Sequence, residues 1–214
     1  MRRRPLVIEI GQSGVRWICR VVLMILFRVR VHGLKNYPAT DGFLICSNHQ
    51  SHLDPVVLGS ICPRPINYLG RESLFRIKAL SWFLRWNDTI PIDREGNGLA
   101  GLKETMRRLE RRETVLIFPE GTRTTNGELQ PVKLGFAAVG RRAKASLLPV
   151  GLAGTFQALP RASWRIRFVR IHVVIGAPLW FRDYGELSGE ELGELLSTRL
   201  AECFAEARYR SGGG

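Results

Sequence analysis

The chain has 214 residues and a mass of 24.2 kDa, enough for one domain that buries its own core, with room for an appendage. It is 45% hydrophobic and 24% charged, which excludes a disordered, collagen-like or coiled-coil chain. Lys and Arg outnumber Asp and Glu by 32 to 19, giving a net charge of +13. This excess favours a polyanionic partner, either nucleic acid or an anionic membrane surface.

The cysteines Cys19, Cys46, Cys62 and Cys203 form no CxxC pair and lack zinc-finger spacing. The sequence therefore predicts neither a disulfide framework nor a structural metal, and it favours a reducing compartment.

The most apolar stretch near the start of the chain, residues 17–27, is too short for a membrane-spanning helix, which needs roughly 20 residues. It resembles the apolar core of a signal peptide, but arginines follow it instead of a cleavage site. We expect an amphipathic helix lying in a membrane interface, with arginines reaching lipid phosphates. The contacts would come from Arg16, Trp17, Arg20, Leu23 and Phe27. The alternative is a buried first helix of the core.

Strand-like and helix-like runs alternate after this segment. Strands are predicted at residues 43–46, 66–69, 89–92, 114–118 and 147–152, and a strand with one wet face at 165–175. Helices are predicted at residues 55–61, 72–86, 98–112 and 133–142, and a last one follows the capping-box pair Ser188 and Glu191. The pattern predicts an α/β fold: a single domain with a mixed, mostly parallel sheet flanked by helices, preceded by the amphipathic, membrane-associating segment. In such sheets, functional loops follow the carboxyl ends of strands.

The loop after the strand at 43–46 contains His49 and Asp54. On a regular helix this spacing would separate the two side chains by about 140°, but in a turn leading into a helix they can converge. A histidine backed by a carboxylate is the base and orienting half of a catalytic triad. The alternative is two ordinary loop residues, with Asp54 capping the next helix.

His49, His52 and Asp54 are also metal-ligand types, so a metallohydrolase is a second hypothesis. It needs further ligands, and His32 and His172 lie in neither acidic nor histidine-rich surroundings. We therefore predict no metal.

Two further loops each contain an arginine shortly after a predicted strand. Arg94 follows the strand at 89–92, and Arg123 follows the strand at 114–118. Arginine matches phosphate oxygens bidentately, and Gly121 allows a close backbone approach to an anion. Glu120 could pair with Arg123 or accept a substrate hydroxyl, while the simpler alternative is a surface ion pair and a turn glycine.

Four sequence blocks follow one another in order: NHQSHLDP at 48–55, IPIDR at 90–94, FPEGTR at 118–123 and LLPV at 147–150. In this order and spacing they resemble the motifs of the glycerolipid acyltransferase family, and most closely those of the 1-acylglycerol-3-phosphate (lysophosphatidic acid) acyltransferases. The resemblance covers roughly residues 30–180, and ordered blocks are more specific than HxxxxD alone.

The resemblance implies transfer of a fatty acyl group from an acyl-CoA or acyl carrier protein thioester to the free hydroxyl of lysophosphatidic acid, giving phosphatidic acid in phospholipid biosynthesis. It implies that His49 and Asp54 are catalytic and that Arg94, Glu120, Gly121, Thr122 and Arg123 bind the substrate. No cofactor is expected. The enzyme would sit peripherally, as a monotopic protein, on the cytoplasmic face of an anionic membrane.

On this interpretation, residues 1–31 form the interfacial segment, residues 32–210 the acyltransferase domain and residues 211–214 a disordered tail. Asp88 departs from the family, which often has glycine there. Its carboxylate would repel a phosphate unless it points away or pairs with an arginine. Two alternatives stay open: another lysolipid or an aminolipid as acceptor, and a nucleic-acid-binding protein that uses the basic helix at 98–112. The latter lacks a recognition motif, so we expect no nucleic acid.

Overall fold

The computed structural model describes residues 6–39, 42–93, 98–161, 163 and 165–212, with side chains from residue 10 onward. The strands of this part of the chain are β1 (Arg30–His32), β2 (Phe43–Ser47), β3 (Ile66–Arg71), β4 (Ile90–Ile92), β5 (Thr114–Ile117), β6 (Ser146–Ala153) and β7 (His172–Ile175). Its α-helices are α1 (Leu6–Phe27), α2 (Asp54–Ile61), α3 (Lys78–Trp86), α4 (Leu99–Glu110), α5 (Gly135–Arg142), α6 (Thr155–Ala158), α7 (Phe181–Tyr184) and α8 (Gly189–Ser211). Two 3₁₀ helices, Leu34–Asn36 and Glu72–Arg76, complete the described elements.

The described strands form one sheet in the order β1-β7-β6-β2-β5-β3-β4. Neighbouring strands pair in parallel except β6 and β7, which are antiparallel. The predicted mixed, mostly parallel sheet is therefore confirmed. Strand β2 lies at its centre and is buried at every residue, as its uninterrupted apolar sequence predicts.

Helices cover both faces of the sheet. On one face, Leu23 and Phe27 of α1 pack with Val57 and Leu58 of α2 against the strands. On the other face, α4, α5 and α8 bury apolar residues such as Leu109, Phe136 and Leu196. Helix α2 is buried over most of its length, whereas α4 and α5 bury one stripe and leave the opposite face to solvent.

Two predicted elements are wrong in extent. The helix predicted at 72–86 is broken at Ile77, whose extended backbone separates the 3₁₀ turn Glu72–Arg76 from α3. The ring of Phe75 lies over Gly70, at 3.5 Å from the position a Cβ atom would take, and holds this turn at the end of β3.

The strand predicted at 165–175 is real only over His172–Ile175, and there it is buried on both faces. The pairing of β7 with β6 starts at His172 and Ala153. Beyond Ala153, Gly154 takes a left-handed backbone (φ 95°) and β6 ends, so residues 165–170 have no strand to pair with.

The segment bounds predicted near the two ends of the chain differ slightly from the bounds of β1 and α8. β1 starts at Arg30, so the sheet begins inside the segment predicted as interfacial. The predicted capping box is confirmed: Ser188 accepts a hydrogen bond from the Glu191 amide and α8 starts there. Ser211, predicted in the tail, is the last residue of α8, while residues 213–214 lie outside the described residues.

Candidate active site

His49 and Asp54 lie in the loop that joins β2 to α2, at the carboxyl edge of the central strand. The Nδ1 atom of His49 lies 2.8 Å from the Oδ2 atom of Asp54. Because a carboxylate only accepts, Nδ1 carries the proton and Nε2 has the free lone pair. The turn at Ser51–Leu53 reverses the chain before Asp54 begins α2, so two residues that a helix would separate are brought together.

The Asp54 carboxylate is fixed before any substrate arrives. It is fully buried, and its Oδ2 atom also accepts from the backbone amides of Gln50 and Ser51, at 2.6 and 2.7 Å. These donors hold the acceptor atom in the direction that the imidazole needs. Burial beside fixed donors makes Asp54 an orienting group and the electrostatic partner of an imidazolium.

The ring of His49 stacks on the ring of Phe118, with centroids 3.8 Å apart and planes 11° apart. Its side chain is 14% exposed, so the imidazole is mostly buried but keeps some contact with solvent. The Phe118 ring and the Asp54 carboxylate hold a ring that stays partly accessible, as a general base must be.

Glu120 corrects the sequence analysis, which placed it among the substrate-binding residues. It is only 3% exposed, and its two oxygens accept from the backbone amides of His49 (2.8 Å) and Gln130 (3.2 Å). Burial raises the pKa of Glu120 to about 7, against the lowering effect of these two hydrogen bonds. Glu120 thus ties the His49 loop to the 118–130 segment, and both of its oxygens are used in hydrogen bonds within the protein.

Gly121 and Thr122 lie in the loop after β5, the strand next to β2. Gly121 has φ 72° and donates to the carbonyl of Phe118 at 2.9 Å, closing a tight turn that favours glycine. Thr122 is exposed. This loop is bound to the His49 loop a second time, because the amide of Thr124 donates to the His49 carbonyl at 2.9 Å.

Arg123 lies beside the His49 loop. Its backbone is held there because the amide of the next residue, Thr124, donates to the His49 carbonyl. The Arg123 side chain is half-buried, and its positive charge, after burial, is the largest cause that lowers the pKa of His52. The structure thus places His49 and Asp54 in contact, with Arg123 in the adjoining loop. Arg94 lies outside the described residues; the strand before it, β4, is the edge strand on the far side of β5 and β3.

Asp88, the departure from the family pattern, has φ 53°. This backbone region suits glycine best, and Asp tolerates it better than most residues. The Oδ1 atom of Asp88 lies 3.8 Å from Nη1 of Arg108, so the carboxylate is engaged by an arginine of α4.

The sequence analysis did not single out two side chains that lie at these loops. Asn48 is 1% exposed and exchanges hydrogen bonds of 2.9 and 2.8 Å with the backbone of Leu152, which pins the His49 loop to β6. Lys133 lies over Gly121, where a Cβ atom would come within 3.0 Å of the lysine Nζ. A lysine ten residues beyond the FPEGTR block gives no local signal, because only the folded loop returns it to the site.

The residues predicted to contact a membrane divide into two groups. Trp17 is 66% exposed, Arg20 is exposed and Arg16 is half-buried. Leu23 and Phe27 are 5% and 4% exposed and pack in the core, so they are wrong as lipid contacts. The stretch Ile10–Phe27 is long and apolar enough to cross a membrane by length and composition, and 17% of it is buried in the protein.

Among the residues that the structure describes, no group of three or more His, Cys, Asp or Glu side chains is placed to hold a metal ion.

Comparison with known proteins identifies the family of this chain. A model of the Acyltransferase family matches residues 28–153. The chain is 31% identical to the 1-acyl-sn-glycerol-3-phosphate acyltransferase of Bacillus subtilis over 188 residues, which are 86% of this chain and 92% of that protein. It is also 31% identical over 194 residues to the enzyme of that name from Pseudomonas aeruginosa, covering 89% and 73% of the two chains.

The fold is that of the 1-acyl-sn-glycerophosphate (LPA) acyltransferase PlsC from Thermotoga maritima. Its crystal structure superposes with a TM-score of 0.82 over 96% of this chain and 83% of that one, at 24% identity. This likeness, at 24% identity, shows the fold alone. The family model and the two sequence relatives show that the chain belongs to the acyltransferase family.

Proposed function

We propose that the protein transfers a fatty acyl group from a thioester to the free hydroxyl of 1-acyl-sn-glycerol-3-phosphate and so makes phosphatidic acid for phospholipid biosynthesis. The observation that carries the proposal is the His49–Asp54 pair, whose Nδ1–Oδ2 contact leaves Nε2 of the neutral imidazole to act as a base, with Arg123 in the adjoining loop. The names of the Bacillus and Pseudomonas relatives support this acceptor.

In the proposed reaction, Nε2 of His49 takes the proton from the acceptor hydroxyl as its oxygen attacks the thioester carbonyl. A C–O bond forms, the C–S bond breaks, and the leaving sulfur takes the proton back from the imidazolium. Asp54 stabilises the transient positive charge. Proton transfer of this kind contributes about 10² to 10⁴-fold. No acyl-enzyme is needed.

The acceptor phosphate is assigned to the loop after β5. Arg123 offers a guanidinium, the Gly121 turn exposes backbone, Thr122 offers a hydroxyl, and Lys133 adds an ammonium group over the same turn. Arg94 stays a predicted ligand. Two cations around a glycine turn suit a dianionic phosphate better than an uncharged headgroup.

We propose that the protein binds the cytoplasmic face of a membrane through α1, as a peripheral, monotopic enzyme. Both ends of α1 are fixed to the α/β body: Gln12 bonds to the Trp86 carbonyl of α3, and the Ile171 amide donates to the Phe27 carbonyl. Because one face of α1 is packed along its length, an orientation parallel to the interface suits it better than a crossing one. The segment 1–31 would then serve for attachment and 32–210 for catalysis.

An assay with a labelled acyl donor tests the function. Acyl-CoA and acyl carrier protein donors are each offered with lysophosphatidic acid, other lysophospholipids and an aminolipid in detergent. We expect the fastest transfer to lysophosphatidic acid, and transfer by His49→Ala that is slower by about 10² to 10⁴-fold. Preferential acylation of an acceptor without a terminal phosphate would assign the site to another lysolipid.

A further inference from the structure

Three segments that lie far apart in sequence share one exposed surface. The most exposed apolar side chains of α1 are Ile10, Trp17 and Ile25, at 63%, 66% and 70%. In α3, Trp82 is 69% exposed, and in the stretch 165–170, Phe168 is 68% exposed. Apolar patches of this kind on a folded protein mark an interaction site.

The three segments are joined through α1. At its amino end, the Trp86 ring packs against Gly11, where a Cβ atom would lie 3.4 Å from it, and Trp82 stacks with Trp86 at 6.3 Å. At its carboxyl end, Phe27 and Phe168 are in ring contact at 5.8 Å. A helix of 22 residues is about 33 Å long, so α1 forms the spine of a surface with α3 at one end and residues 165–170 at the other.

The charge of this surface is mostly positive. Residues 10–28, 73–86 and 165–170 each contain three basic residues, and the acidic residues next to these ranges are Glu9 and Glu72. The basic residues with exposed side chains are Arg20, Arg28, Arg76, Lys78, Arg85, Arg165, Arg167 and Arg170, whereas Arg16 is half-buried. Arginine and lysine beside exposed tryptophan and aliphatic side chains are typical of the headgroup region of a bilayer, where each basic residue contributes about 1 kcal/mol against anionic lipid.

The surface also adjoins the active site. The amide of Arg167 donates to the Ala158 carbonyl at 2.8 Å, and the next carbonyl, that of Leu159, accepts from Ser51 of the His49 loop at 2.8 Å. A groove of about 480 Å³, lined by both apolar and basic residues, lies where α1 meets residues 168–170. Its basic members are Arg28 and Arg170.

We infer that α1, α3 and residues 165–170 form one continuous surface that rests on an anionic bilayer. This inference rests on the membrane association proposed above and extends it to two elements beyond the amino-terminal helix. The placement lets a lipid acceptor reach His49 from the headgroup layer.

Two double variants test it: Trp82→Ser with Phe83→Ser, and Ile166→Ser with Phe168→Ser. The matched control is Tyr209→Ser, since Tyr209 is 82% exposed on α8, where acidic and basic residues alternate. Flotation uses vesicles of phosphatidylcholine alone and of an equimolar mixture with phosphatidylglycerol. We expect each double variant to lose about tenfold or more in partitioning to the mixed vesicles, while the control binds as the parent does.

Acyl transfer to a detergent-dispersed acceptor checks the fold of each variant and separates the two proposals. We expect the double variants to keep that activity and to lose transfer to an acceptor in vesicles. Vesicle binding by both double variants equal to that of Tyr209→Ser overturns the inference even if the enzyme is active. Concentration-dependent dimerisation that the double variants abolish, with vesicle binding unchanged, also overturns it and assigns the surface to a second copy of the chain.

Discussion

The Nδ1 atom of His49 and the Oδ2 atom of Asp54 are 2.8 Å apart, and the same oxygen accepts two backbone amides. The backbone of the loop itself therefore fixes the orientation of the imidazole, and the proton lies on Nδ1.

Replacing His49 with Ala should lower kcat by about 10² to 10⁴-fold, because the acceptor hydroxyl loses its base. The control is His52→Ala, which removes an exposed histidine three residues away. We expect the control to stay within a few-fold of the parent in a steady-state assay. Near-parental turnover by His49→Ala in folded protein would contradict the mechanism.

Asp54→Asn should reduce kcat less than His49→Ala does. The two backbone amides select the amide oxygen of the new side chain, so the imidazole keeps its orientation while the negative charge opposite the imidazolium is lost. KM values for both substrates should change little. An unchanged kcat would show that the charge of Asp54 has no part in the reaction.

Arg123→Ala and Lys133→Ala should each raise the KM for lysophosphatidic acid by about 10- to 100-fold, as a charged hydrogen bond is worth roughly 1.5–3 kcal/mol. The KM for the acyl donor should hardly change. Arg141→Ala, at the exposed end of α5, is the charge-matched control. Equal effects on both substrates would argue against phosphate binding.

Glu120 should make stability depend on pH. Its pKa in the folded protein is about 7, above the ordinary 4.5, because burial opposes ionisation. Between pH 4.5 and about 7, Glu120 is therefore protonated in the folded state and ionised in the unfolded state. The contribution of the protonated Glu120 to stability is fully present below pH 4.5 and is lost as the pH rises through 7.

Urea unfolding of the parent and Glu120→Gln at pH 5 and pH 8 measures this effect. The free energy of unfolding of the parent, relative to that of the variant, should be larger at pH 5 than at pH 8, because the amide of the variant does not titrate. The same difference in free energy at both pH values would contradict a raised pKa of Glu120 in the folded protein.

Gly151→Ala should destabilise the fold by about 3 kcal/mol or more. A Cβ atom at Gly151 would lie 2.2 Å from the backbone carbon of Cys203, so α8 could not stay packed on β6. At Gly189, the first residue of α8, nothing lies within 4 Å of an added Cβ atom. Thermal unfolding of Gly189→Ala should match the parent within about 0.5 kcal/mol.

Much of the local structure was predictable from the sequence. The apolar run at 43–46 indicated a buried strand, the Ser188 and Glu191 pair indicated the start of a helix, and the His49–Asp54 spacing allowed convergence in a turn. Each of these features depends on residues that are close in sequence, so it can be predicted without knowing how the rest of the chain folds.

The tertiary structure decided what depends on distant partners. The hydrophobic pattern of α1 marked Leu23 and Trp17 alike, yet only Leu23 is buried, because α2 covers that stripe. Glu120 looked like a substrate ligand until the His49 loop supplied its hydrogen-bond donor from 71 positions away. The sequence by itself determined the local elements and the short spacing between His49 and Asp54. The folded chain determined which side chains meet and which are buried, because burial depends on the segments that pack over each residue.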